Sequence, residues 1–233
     1  MGKISPLAPK AGFPELNLID GVRFSSACAG VKYKNRLDVM LAEICDNSSI
    51  AGVFTKSSTR SSAVLDCQEK LQKQTLSNSG FAFLVNSGNA NAFTGRVGDL
   101  SVRKLVTAVS DSLGLPESNI FTSSTGVIGE PLPVDKLINA IPALKNSLRG
   151  DNFAAAAAAI MTTDTFPKGA SETISVGGKS VNICGIAKGS GMIAPDMATM
   201  LVYIFTDASI TKTLLQKVVS ELVRKTFNCI TVD

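Results

Sequence analysis

Apolar residues in this chain fall into short runs of period two and longer stretches of period 3.6, so strands and helices alternate. Within residues 21–45, Val22-Arg23-Phe24 and Leu37-Asp38-Val39 alternate and predict two paired strands joined at Tyr33 to Asn35. Residues 50–55 read as another strand, and residues 81–85 are a continuous apolar run of the kind a buried strand carries. Val102, Leu105, Val106, Val109 and Leu113 then share one helical face, with Asp99 available as the cap and Gly114 and Pro116 as the stop. A second helix is predicted from Pro133 through Val134, Leu137, Ile138 and Ile141, to be ended or kinked by Pro142. A third follows, capped by Asp151 and running through the alanines of 154–159 to Met161. Gly177-Gly178 joins two alternating runs, 172–176 and 179–183, into a hairpin. The run 200–205 reads as a buried strand. Leu214, Leu215, Val218, Val219, Leu222 and Val223 make a final helix starting near Ser209 or Thr211. Residues 1–20 carry three prolines and read as an irregular arm. The class predicted is α/β, with mixed α and β layers and neither an internal repeat nor a linker.

At 233 residues, 45% hydrophobic and 18% charged, the chain can bury a core of its own. No window approaches the ~18 apolar residues of a membrane helix. The first ten residues lack the apolar centre of an export signal, so a cytoplasmic location is expected. The net charge of +4 is scattered and carries no basic block of the nucleic-acid type. Five cysteines lie far apart with no Cys-x-x-Cys pair, which suits free, mostly buried thiols in a reducing compartment. The chain contains no histidine. That removes Ser-His-Asp and Cys-His catalysis and His-based zinc sites, and leaves a carboxylate, a lysine or an α-amine as any general base.

The absence of histidine directs attention to residues 185–201, Gly-Ile-Ala-Lys-Gly-Ser-Gly-Met-Ile-Ala-Pro-Asp-Met-Ala-Thr-Met-Leu. A glycine-flanked turn carries Lys188, and Thr199 stands where a new apolar run begins. A threonine so placed can attack its own preceding carbonyl, free its α-amine and use that amine as base, since such amines titrate at about 7.7–8.0. The plainer reading is a β-branched residue opening a strand, with Lys188 a solvated charge. Two further loops admit similar pairs of readings. Asn-Ser-Gly-Asn-Ala-Asn-Ala at 86–92 is either an active-site wall or a turn-rich loop. The hydroxyl-rich, glycine-containing stretch 121–133 suits an oxyanion-binding turn or a simple strand-to-helix connection. The hydroxyls of 162–165 are expected to satisfy the last carbonyls of the preceding helix.

Met-Ala-Thr-Met-Leu at 197–201, Asn-Ser-Gly-Asn-Ala-Asn-Ala at 86–92 and Ser-Thr-Gly-Val-Ile-Gly-Glu-Pro-Leu-Pro at 124–133 occur in one order. In that order they resemble the ornithine acetyltransferases, the bifunctional glutamate N-acetyltransferases of arginine biosynthesis. Gly52-Val53-Phe54-Thr55-Lys56 resembles a further family segment. The resemblance covers essentially all of this sequence and a little over half of a family member, so the chain reads as C-terminally truncated. It implies the fold shared with self-cleaving aminopeptidases, with an N-terminal-nucleophile threonine. It implies self-cleavage between Ala198 and Thr199, giving an α-like segment 1–198 and the start of a β-like segment 199–233. Thr199 would then take acetyl from N-acetylornithine, or acetyl-CoA in bifunctional members, and pass it to glutamate. Thr125 and Gly126 would stabilise the oxyanion, and Thr162, Lys188 and Thr199 would bind substrate. No metal or prosthetic group is implied, and the complete protein would be a heterotetramer of two α and two β chains. Two other readings stay open: an inactive remnant that depends on a partner, and a related self-processing aminopeptidase.

Overall fold

A computed structural model describes residues 4–6, 8–73, 79–196 and 199–233. Two sheets lie face to face. The first has the order β1 (Val22–Ala27), β2 (Val39–Ile44), β3 (Phe81–Asn89) and β4 (Ile120–Val127). β1, β2 and β3 run antiparallel, whereas β3 and β4 are parallel, because helix α2 (Gly95–Leu113) carries the chain back between them. The second sheet is a meander of β5 (Lys168–Val176), β6 (Lys179–Lys188) and β7 (Leu201–Thr206), all antiparallel. Both turn glycines between β5 and β6 have positive φ, 58° and 78°, as a two-residue hairpin with right-handed strand twist demands.

The central strand β2 explains why the first sheet is covered twice. Val39 and Leu41 point to one face, Met40 and Ala42 to the other, and all four are fully buried. Val39 and Leu41 meet the apolar stripes of α2 and α3 (Val134–Asn146), including Leu105, Val109, Leu137 and Leu144. Met40 and Ala42 meet the second sheet and the short helix α4 (Phe153–Ala159). Phe24 stacks within 4.4 Å of Phe153 and 5.0 Å of Phe205, and Phe83 lies 5.7 Å from Tyr203. Ala156, Ala157 and Ala159 of α4 are buried without bulk, so the helix fits into the core between the sheets. A third cluster joins Cys67 of α1 (Ser62–Lys73) to Phe81 and Phe121.

Several sequence expectations change in detail. Residues 50–55 form no strand. Gly52 instead exchanges backbone hydrogen bonds with the Gln216 side chain, and just beyond the run the Lys56 N–H donates to the Asp196 carbonyl. Helix α2 begins a turn before Asp99, which is exposed, and ends as expected at Gly114 with φ 72°. Pro142 lies inside α3 and does not end it. Asn152 takes the cap position of α4, while Asp151 pairs with Arg149. Helix α5 (Lys212–Leu222) starts at Thr211, whose hydroxyl accepts the Leu214 N–H as an N-cap. The strand 200–205 is half-buried: Ile204 of β7 faces outward at 57% exposure, and α5 buries none of its residues. Of the five free cysteines only Cys67 and Cys184 are buried, and burial pushes both thiols up to about 12.

Candidate active site

The parallel pair β3–β4 ends with its two carboxyl ends side by side, and there the first polar cluster forms. Gly88 stands opposite Gly126, followed by an irregularity at Asn89. Gly126 has φ 137°, and a Cβ on it would sit 2.3 Å from the Gly88 carbonyl carbon and 2.5 Å from the Asn89 nitrogen. The backbone can approach this closely only without side chains. Thr125 is buried at 7% exposure, and Gly126 faces the surface.

Asn-Ser-Gly-Asn-Ala-Asn turns out to be a brace for that turn. Asn86 donates to the Asn89 carbonyl at 2.9 Å and accepts the Ser124 hydroxyl at 2.7 Å. Ser87 donates to the Ala159 carbonyl at 2.8 Å, tying β3 to the end of α4. Asn89 donates to the Glu130 carbonyl at 3.1 Å and accepts the Asn91 N–H at 2.7 Å. Each amide satisfies backbone that the irregular strand end leaves unpaired.

From the second sheet comes Lys188, the last residue of β6. It is neither solvated nor on a turn: it is 2% exposed. Its ammonium donates to the Thr125 hydroxyl at 3.2 Å and to the Thr199 carbonyl at 3.0 Å. Three of the residues singled out by sequence therefore meet at one cation. Burial lowers the Lys188 pKa from its ordinary value. Asp164 opposes that shift, and Lys168 adds to it. Thr199 is half-buried, with φ 104°, a conformation that costs a β-branched residue about 1–3 kcal/mol. Asp196 nearby also has positive φ (58°) and is clamped by Lys56 at 2.6 Å and Asn228 at 2.9 Å. Ala198, the other half of the expected cleavage site, lies outside the described residues.

Thr162 joins this group through its backbone. Its N–H donates to Asp164 at 3.2 Å, and its carbonyl accepts from Arg36 at 3.3 Å. Arg36 also satisfies the Met161 carbonyl at 2.5 Å, so an arginine does the carbonyl-capping work expected of the hydroxyls. Thr163 bonds instead to Ser190 at 3.0 Å, and Thr165 accepts the Ser5 N–H at 3.1 Å.

Asp164 and Arg36 went unnoticed in the sequence. The one available signal for Asp164 was a lone carboxylate among hydroxyls, four residues before a lysine. Among the described residues no cluster of three His, Cys, Asp or Glu side chains could hold a metal ion, and no helix is long and apolar enough to cross a membrane.

Two facing sheets with helices on one outer side, and a lysine–threonine cluster where they meet, define a mixed α/β protein. An ArgJ crystal structure from Bacillus halodurans superposes with a TM-score of 0.69 at 33% identity, covering 78% of this chain and 92% of that one. The ornithine acetyltransferase of Mycobacterium tuberculosis, solved in complex with ornithine, gives 0.65 at 29% identity over 78% of this chain and 94% of that one. The arginine biosynthesis bifunctional protein ArgJ of Ruegeria pomeroyi is 57% identical over 231 residues, 99% of this chain and 56% of that protein. Residues 23–233 match the ArgJ family, and the chain belongs to it. It spans about half the length of the curated relatives it matches.

Proposed function

We propose that this chain supplies the nucleophile half of an amino-acid acetyltransferase of arginine biosynthesis. The observation that carries the reading is the Lys188 ammonium, buried and bonded at once to the Thr125 hydroxyl and the Thr199 carbonyl. In the maturation step, Thr199 Oγ attacks the Ala198 carbonyl and its own nitrogen leaves as the amine. Water then hydrolyses the resulting ester. Residues 1–198 form the α-like piece, and 199–233 begin the β-like piece. The freed amine accepts the hydroxyl proton as Thr199 attacks the acetyl carbonyl of N-acetylornithine, and ornithine departs with a proton. The amine of glutamate next attacks acetyl-threonine, giving N-acetylglutamate and restoring the hydroxyl. Acetyl-CoA serves as donor in a bifunctional protein. Thr125 and the Gly126 N–H face the tetrahedral oxygen in each step, where one such donor is worth about 3 kcal/mol of barrier. Thr162 and Lys188 hold substrate, the lysine pairing with a carboxylate. The complete protein assembles as two α and two β chains in the cytoplasm.

The solved B. halodurans chain supports division into two pieces: it is shorter than this chain, whereas the curated relatives are nearly twice as long. Intact mass spectrometry of the purified protein beside Thr199→Ala tests the mechanism. Two fragments split after Ala198 are expected from the first and one species from the second. A parent chain that never splits, even when supplied with the C-terminal half of a family-length protein, overturns it.

One observation favours a second reading, a partner-dependent fragment without activity of its own. Leu214 and Leu222 of α5 and Ile174, Val176 and Ile204 of the second sheet are exposed by 41–57%. An uncut chain that aggregates alone and becomes soluble only on co-expression with the C-terminal half would support it.

A further inference from the structure

The Asp164 side chain has no solvent exposure, yet nothing in the proposed chemistry uses it. One oxygen accepts the Gly189 N–H at 2.7 Å and the Lys168 ammonium at 2.7 Å, and the other accepts the Thr162 N–H at 3.2 Å. Gly189 follows Lys188 directly, and its φ of 152° marks the point where the chain leaves β6. Thr162 belongs to the segment after α4. A single carboxylate thus joins the two segments that carry Thr162 and Lys188, with Thr163–Ser190 as a second tie across the same gap.

A carboxylate is removed from water only where its lone pairs are satisfied, and two backbone N–H groups with an ammonium do that here. Burial pushes the Asp164 carboxyl up. The bonds from Lys168, Gly189 and Thr162 outweigh that effect and hold it below its usual range. It is therefore an anion at neutral pH. The charged groups that act on the Lys188 ammonium are Asp164, which favours the charged form, and Lys168, which opposes it. Thr125 and the Thr199 carbonyl are its neutral partners.

We propose that Asp164 is the positioning residue of the site: through the Gly189 and Thr162 amides it fixes where Lys188 sits, and through its charge it keeps that lysine an ammonium. This deepens the proposed function and rests on Lys188 being the cation of the site. A neutral amine at the same place would neither attract a substrate carboxylate nor donate to both Thr125 and Thr199 with the strength of an ion.

The test is an NMR titration of the isotope-labelled 233-residue chain and of Asp164→Asn, reading the Lys188 side-chain nitrogen. The asparagine keeps an acceptor for Gly189 and removes the charge. The Lys188 midpoint is expected to fall by about one pH unit or more, since burial then acts unopposed. A merely structural aspartate would leave that midpoint where it is. In the parent chain the Thr162 and Gly189 amide signals are expected to move in step with the Asp164 carboxyl as it takes up its proton. That arm decides the matter if the variant does not fold. An unmoved Lys188 midpoint in a folded variant, or amides indifferent to the carboxyl, overturns the proposal. Neither readout requires cleavage or acetyl transfer, so an uncut and inactive chain leaves this inference standing while refuting the function.

Discussion

At the scale of single residues the site is expensive, and its costs can be measured. Gly126 cannot carry a side chain, because the nearest atoms to an added Cβ are backbone at 2.3 Å and 2.5 Å. Gly126→Ala is expected to lose about 3 kcal/mol or more, read as a lower urea midpoint, with the Thr125 turn displaced. Lys188→Met is expected to do the opposite. An ammonium at 2% exposure is replaced by an apolar chain of similar volume, so stability at neutral pH should rise by about 1 kcal/mol or more while the site loses its cation. The sign follows from the lowered pKa. The penalty for burying the charge is full below the folded-state pKa and vanishes as pH rises to the ordinary value of 10.5, so the gain from methionine should fade in the same window.

At the scale of elements, the sequence disclosed what repeats along the chain and missed what depends on distant partners. Helices α2 and α5 were legible because their apolar stripes run for several turns, and the β5–β6 hairpin because two glycines separate two alternating runs. Helix α1 gave no such signal: it buries only Ala63 and Cys67, too few positions for a visible period. Residues 50–55 have the composition of a strand, but the Gln216 side chain bonds the Gly52 backbone in place of another strand. The same difference in burial separates α3 from α5. Leu137→Ala, at a fully buried position of α3, should cost about 2–5 kcal/mol in thermal or urea melts. Leu222→Ala on α5, at 52% exposure, should stay within about 0.5 kcal/mol in the same melts.

At the scale of the whole molecule, the site is a junction between sheets, which is why residue chemistry alone could not assemble it. Lys188 and Thr125 are 63 positions apart, on different sheets, and no local spacing announces their contact. The stretch 185–201 offered Lys188 and Thr199 from its own residues, and resemblance supplied Thr125, Gly126 and Thr162. The geometry added Asp164, Arg36 and the asparagine brace, which bond to backbone and leave little trace in a pattern of polar and apolar letters. The junction also sets an acid limit on stability. Because its pKa is depressed in the folded state, Asp164 stabilises fully above the ordinary 3.8, and that contribution disappears as pH falls through the folded value. Stability curves of the parent chain and Asp164→Asn should therefore diverge at pH 6 and converge in strong acid.

The hydrogen bond from Lys188 to Thr199 has one more consequence, which lies in the direction it points. It grips the carbonyl of Thr199, on the downstream side of the bond that joins this residue to Ala198. Were that bond to open, the grip would survive. The residue would keep its mooring while its nitrogen swung free, so the severed strand would not have to find its berth again before the next reaction.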